Sequence, residues 1–126
     1  MSKPQIPFLI TGATSGLGFS ILHTLYHSLP DTSKSSICAS SSRPESAEPL
    51  QAKYPGIRFR VVNYDDEPCM TDAFEGVDKL FFVSSPEFDG VKREVQHGNV
   101  VRAARRAGVG RVSLVLSLFI LFGRRC

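Results

Sequence analysis

Short apolar runs alternate with helical patterns along the whole chain. Residues 6–10 form an apolar run that predicts a buried strand, and it enters Thr11-Gly-Ala-Thr-Ser-Gly-Leu-Gly18 directly. From Phe19 the period changes: Ile21, Leu22, Leu25 and Leu29 share one helical face, and Pro30-Asp31 stops the helix. Residues 31–36 read as a polar loop. Residues 36–40 predict a second, serine-rich strand ended by Arg43-Pro44, and a short helix follows within 45–54, starting near Pro49. After the turn signal Pro55-Gly56, residues 57–62 alternate and are β-branched, a third strand. Glu67-Pro68 opens a short helix carrying Met70, Ala73 and Phe74, with Gly76 beyond its end. Residues 79–83 predict a fourth strand, closed by Ser84-Ser85-Pro86. Val91, Val95, Val101 and Ala104 then lie along a long helix ending near Gly108, and residues 111–116 predict a fifth strand.

The order is β-α-β-α-β-α-β-α-β. Parallel strands need crossover connections, so this alternation predicts a parallel sheet with helices on both faces. Right-handed crossovers then imply an α/β, doubly wound, Rossmann-like fold in three layers, with strand order 3-2-1-4-5. A ligand crevice is expected at the carboxyl edge, between strands one and four.

The 126 residues suffice for one domain with a core, and 42% hydrophobic with 21% charged residues is globular composition. Three cysteines without CxxC spacing predict neither a disulfide framework nor a zinc site, which fits a reducing, cytoplasmic setting. No apolar run reaches the ~17–25 residues that span a bilayer. Residues 61–90 carry eight acids and one base, and residues 91–126 eight bases and one acid. Two solvated helix faces of opposite sign account for this better than a nucleic-acid patch, because no aromatics interleave with the arginines.

Gly12, Gly16 and Gly18 carry the sharpest chemistry. They form G-x-x-x-G-x-G after a strand and before a helix, the context a dinucleotide turn requires. The first glycine permits the tight turn, the second lets backbone approach a pyrophosphate, and the third lets helix and sheet pack closely. Thr14 and Ser15 add hydroxyl donors, and no Lys-Ser/Thr follows to make a Walker A loop. The second strand ends Ser40-Ser41-Ser42-Arg43, with a base where an NAD site places an acid. A guanidinium there grips a 2′-phosphate, so NADP is favoured over NAD. His23 and His27 have the i, i+4 spacing of metal ligands but no third partner, so no metal is expected.

These segments resemble the short-chain dehydrogenases/reductases. Asn63-Tyr-Asp-Asp66, Phe74-Glu-Gly-Val-Asp78, Val83-Ser-Ser-Pro-Glu87, Gln96-His-Gly-Asn-Val100, Ala103-Ala104 and Ala107-Gly-Val109 narrow the likeness to the atypical, NmrA-like branch with its NADPH:quinone-reductase-like members. The resemblance covers about residues 6–112. It implies that Gly12, Thr14, Ser15, Gly16, Leu17 and Gly18 hold the pyrophosphate and that Arg43 meets the 2′-phosphate. It places Asn63 at an adenine contact that usually carries an acid, and Ser84, Ser85 and Pro86 beside the nicotinamide-side ribose. For Asn99 a buried hydrogen bond to a neighbouring loop is expected, and for His97 an exposed or packed ring. The parent family implies hydride transfer from NADPH to a small quinone or carbonyl substrate.

No catalytic residue is assignable. The Tyr-x-x-x-Lys pair of most short-chain dehydrogenases is absent, since no tyrosine follows Tyr64. The likeness dissolves after Val112, so residues 1–117 read as the nucleotide-binding part of a truncated family member and 118–126 as an atypical apolar and basic tail. Two alternatives to a reductase domain follow: a non-catalytic dinucleotide-sensing regulator, and an inactive fragment. An uncovered fifth strand and the apolar tail predict self-association.

Overall fold

The structure, a computed structural model, describes residues 5–14, 16–83 and 90–115. The order of elements is β1 (Ile6–Ile10), α1 (Gly16–Ser28), β2 (Ile37–Ser41), α2 (Ala47–Lys53), β3 (Arg58–Val61), α3 (Glu67–Ala73), β4 (Val77–Val83), α4 (Gly90–Ala107) and β5 (Arg111–Val115). All four pairings are parallel, and the sheet order is β3-β2-β1-β4-β5. The doubly wound α/β reading therefore holds.

Successive strand residues feed opposite faces, as the pleat requires. Leu9, Cys38, Leu80 and Phe82 join a core with Met70, Ala73 and Phe74 of the α3 region and Val100, Ala103 and Ala104 of α4. Ile10, Ile37 and Ala39 join a second core with Leu22 of α1, Leu50 of α2 and Tyr54. These are the two outer layers on one sheet. Every residue of β2 is buried, as expected for a strand covered on both faces.

Several local expectations need correction. Asp31–Ser36 is a 3-10 helix rather than a loop, and it carries a buried lysine. The Lys34 ammonium donates to the carbonyl oxygens of Tyr26 and, at 2.7 Å, Leu29, so it satisfies carbonyls at the end of α1. It also stands 3.9 Å over the Tyr26 ring. α2 begins at Ala47, before Pro49, after a 3-10 turn at Pro44–Ser46. β4 begins two residues earlier than the apolar run, because Ile6 pairs in register with Val77. On α4 the buried residues are Gln96, Val100, Ala103 and Ala104, whereas Val91, Val95 and Val101 are exposed. An alanine pair lets this helix lie closer to the sheet than branched side chains would.

The acidic and basic segments meet at Glu67, while the two arginines that reach it stay largely exposed. Arg102 Nε lies 2.9 Å from Glu67 Oε1, and Arg106 Nε 3.6 Å from Glu67 Oε2, joining α3 to α4. Cys38 and Cys69 are free thiols. Among the described residues no group of three His, Cys, Asp or Glu is placed to hold a metal, and no helix is long and apolar enough to cross a membrane. The end of the predicted fifth strand and the tail 118–126 lie outside the described residues.

Candidate functional site

The carboxyl ends of β1, β2 and β4 converge on the glycine turn. The Thr11 amide donates to Phe81 O at 3.0 Å, and the Ala13 amide to Ser40 O at 3.0 Å, so the turn is bonded to the strands on both sides. Gly12 and Gly16 both have φ +60°, the left-handed region that glycine enters without steric cost. A β-carbon on Gly16 would meet nothing within 4 Å, and one on Gly12 would meet only Val83 Cβ at 3.9 Å. Open space therefore lies over the turn, a cradle of the kind a pyrophosphate fills. Gly18 differs. A β-carbon there would stand 2.1 Å from Gly12 O and 2.8 Å from Thr11 O. That close approach is why α1 can start directly above β1, and it matches the helix–sheet packing expected of the third glycine. Thr14 is exposed on the same turn and Leu17 is half-buried; Ser15 lies outside the described residues.

The end of β2 lies beside this turn. Ser40 Oγ donates to Ile10 O at 2.8 Å, fixing the strand end to β1. The Arg43 amide donates to Ser41 Oγ at 3.2 Å, which curls the chain just past the strand. The Arg43 side chain is exposed there, within the same carboxyl edge as the glycine turn.

Asn63 is exposed after β3, and its Oδ1 accepts from the Asp65 amide at 2.9 Å. Its acceptor thus shapes the turn. Asp66 caps α3 by accepting from the Cys69 amide at 3.0 Å. Ser84, Ser85 and Pro86 lie outside the described residues.

Sequence reasoning missed Tyr64. Its hydroxyl lies 2.7 Å from both Thr11 Oγ1 and Val83 O, its one proton being available to the Val83 carbonyl while the Thr11 hydroxyl shares the other contact, and the Val83 amide donates to Thr11 Oγ1 at 2.9 Å. Burial pushes the phenol up to about 12, so it stays protonated across the neutral range. Asn99 Nδ2 donates to Tyr64 O at 3.0 Å, the loop bond expected of that helical amide. Three positions earlier on α4, Gln96 Nε2 donates to Asp65 Oδ1 at 3.1 Å. His97 packs edge-on against Phe82, ring centroids 5.0 Å apart.

His23 and His27 sit on exposed positions of α1, but His23 Nδ1 lies 2.9 Å from the Tyr54 hydroxyl within an aromatic cluster. A groove of about 370 Å³ lined by Ser20, Ile21, Thr24, Leu25, Ser28 and Phe81 runs along α1 on the sheet face, away from the glycine turn. It is mainly apolar and carries no cationic side chain.

A doubly wound parallel sheet with a glycine turn at its switch point defines a Rossmann-like α/β protein of the dinucleotide-binding type. No protein-family model matches the chain. Quinone oxidoreductase 2 of Escherichia coli is 41% identical over 100 residues, 79% of this chain and 32% of that protein. The crystal structure of the NADPH-dependent quinone oxidoreductase QOR2 of E. coli complexed with NADPH superposes with TM-score 0.74 at 38% identity, over 85% of this chain and 35% of that one. An NmrA-like family domain-containing oxidoreductase of Aspergillus flavus, flvB, is 38% identical over 109 residues, 83% of this chain and 33% of its own length. The triphenylmethane reductase of Citrobacter sp. complexed with NADP(H) gives TM-score 0.78 at 37% identity, over 86% of this chain and 36% of that one. The chain is a relative of the NmrA-like oxidoreductases, as its ordered motifs implied, and it spans about a third of the length of those it matches.

Proposed function

We propose that the chain binds NADP(H) along the carboxyl edge of its sheet and serves as the nucleotide-binding part of an NmrA-like reductase. The observation that carries this reading is the open cradle over Gly12 and Gly16, both at φ +60°, with Arg43 exposed on the neighbouring strand end. Backbone N–H groups at the start of α1, with Thr14 and Ser15, take the pyrophosphate. Arg43 takes the 2′-phosphate, a charge-assisted contact that NADH cannot offer. The resemblance assigns Asn63 to the adenine contact, and Ser84 and Ser85 to the nicotinamide-side ribose. When bound, the cofactor supplies the hydride, and a small quinone or carbonyl compound is the acceptor. The chain's own residues bind and orient; none of those described is assigned a proton transfer.

Fluorescence titration with NADPH and NADH tests the binding, with tighter NADPH binding expected. A folded chain that binds neither dinucleotide overturns it. Oxidation of NADPH by small quinones in the presence of the chain tests the reductase reading.

A second reading, a dinucleotide sensor without turnover, draws on Tyr64. The phenol nearest the glycine turn is committed to Thr11 and Val83 and is a poor acid at neutral pH. Saturable NADPH binding with no oxidation across a panel of quinones and aldehydes favours the sensor.

A further inference from the structure

The dinucleotide crevice of this fold opens where β1 and β4 diverge. A ligand seated on the glycine turn must cross that point to bring its second half beyond β4. The floor of the crossing is made by Thr11, which starts the turn, and Val83, which ends β4. Gly12 faces Val83 across the gap at 3.9 Å from where its β-carbon would be.

Among the described residues the β1–β4 register ends at the Ile10–Phe81 pair, short of Thr11 and Val83. One side chain from the loop after β3 adds to the ties across this gap. The Tyr64 hydroxyl reaches Thr11 Oγ1 and Val83 O, each at 2.7 Å, and Thr11 Oγ1 also accepts the Val83 amide at 2.9 Å. Thr11 is fully buried, so this small polar knot works without competition from water.

Tyr64 is itself held. Its ring stands edge-on to Phe82, centroids 5.4 Å apart. Its carbonyl oxygen receives the Asn99 amide at 3.0 Å, and the next residue, Asp65, receives Gln96 at 3.1 Å. Two amides spaced i, i+3 on one face of α4 thus grip two consecutive loop residues, which fixes the tyrosine's reach.

We infer that Tyr64 is a positioning residue for the nicotinamide-side half of the dinucleotide, its hydroxyl setting the separation of Thr11 and Val83 over which that half crosses the sheet edge. The inference rests on the dinucleotide reading above. It assigns no contact between Tyr64 and the ligand. The adenine-side contacts proposed at Arg43 and Asn63 lie just past β2 and β3, outside the Thr11–Val83 span.

The test compares NADPH with 2′,5′-ADP, which carries the adenine-side half alone. Both are titrated against the wild type, Tyr64→Phe, Thr11→Val and Thr11→Ser. Tyr64→Phe keeps the ring against Phe82 and removes only the hydroxyl. It should weaken NADPH about three- to tenfold, the equivalent of one net hydrogen bond, and leave 2′,5′-ADP within about twofold. Thr11→Val removes the other end of the same bond and should repeat the pattern, which keeps the test open if Tyr64→Phe folds poorly. Thr11→Ser keeps the oxygen and should bind as the wild type does. Equal weakening of both ligands makes Tyr64 a general structural residue and overturns the inference. So does unchanged NADPH binding in a folded Tyr64→Phe. A wild-type chain that binds neither ligand overturns the dinucleotide reading, and this inference with it.

Discussion

The carbonyl oxygen of Gly12 stands 2.1 Å from the point that a β-carbon on Gly18 would occupy. The obstacle is backbone, which cannot swing aside as a flexible side chain would. Gly18→Ala should therefore push α1 off β1 and cost roughly 1–3 kcal/mol, the range for overpacking. Urea denaturation measures it, and unchanged stability would mean the helix has room to shift.

Gly16→Val should behave oppositely. Space for the side chain exists, and the cost to the fold is about 1–3 kcal/mol from a branched residue at φ +60°. The valine would occupy the cradle, so NADPH binding should be lost while circular dichroism stays close to wild type. A folded mutant with wild-type affinity would move the ligand elsewhere.

Arg43→Ala tests cofactor choice. Losing a charge-assisted phosphate contact costs about 1.5–3 kcal/mol, so NADPH affinity should fall by at least tenfold and NADH affinity should hardly change. An unaltered NADPH to NADH ratio removes Arg43 from the site.

Lys34→Met should lower stability without touching the site. The methionine retains the buried stem but leaves the Leu29 and Tyr26 carbonyl oxygens without their donor, a loss of about 1–3 kcal/mol. Thermal melting reads this directly; NADPH affinity should be unchanged.

His97 gives a pH dependence with a definite sign. Burial, with a smaller contribution from Arg93 and opposed by Glu94, holds its pKa below the ordinary 6.5. The unfolded chain therefore takes up the proton more readily than the folded one. The His97 contribution to stability is intact above pH 6.5 and declines as pH falls through 6.5 toward the lowered folded value. Tm at pH 7.5 and pH 5.5 should differ more in the wild type than in His97→Gln. An equal difference would show that carboxylates alone carry the acid loss.

Much of this was legible in the chain's own pattern. Long-period signals, such as the apolar run entering the glycine turn and the Pro68-initiated α3, report local structure, and the alternation of strands and helices reports topology. What escaped was tertiary. Lys34 reads as loop polarity because its partners are backbone carbonyls, which leave no trace in side-chain type. Tyr64 reads as one more residue of a loop motif because Thr11 and Val83 are distant in sequence. The α4 valines mislead because a close helix–sheet contact selects small residues, so Ala103 and Ala104 take the inner face and the larger apolar residues do not. Asn99 was legible because an amide inside a helix needs a reason to be there.

The short helix α3 has seven residues, well under the ~12–15 that an isolated helix needs to persist in water. Its first turn is capped by Asp66, but its last carbonyls depend on β3: the Arg60 guanidinium donates to Ala73 O and, at 2.8 Å, to Glu75 O. That dependence imposes an order on refolding. Arg60 sits on β3, which pairs with β2, so α3 is expected to form late and not as a nucleus. In pulse-labelled hydrogen exchange, its amides gain protection together with or after those of β3, never before.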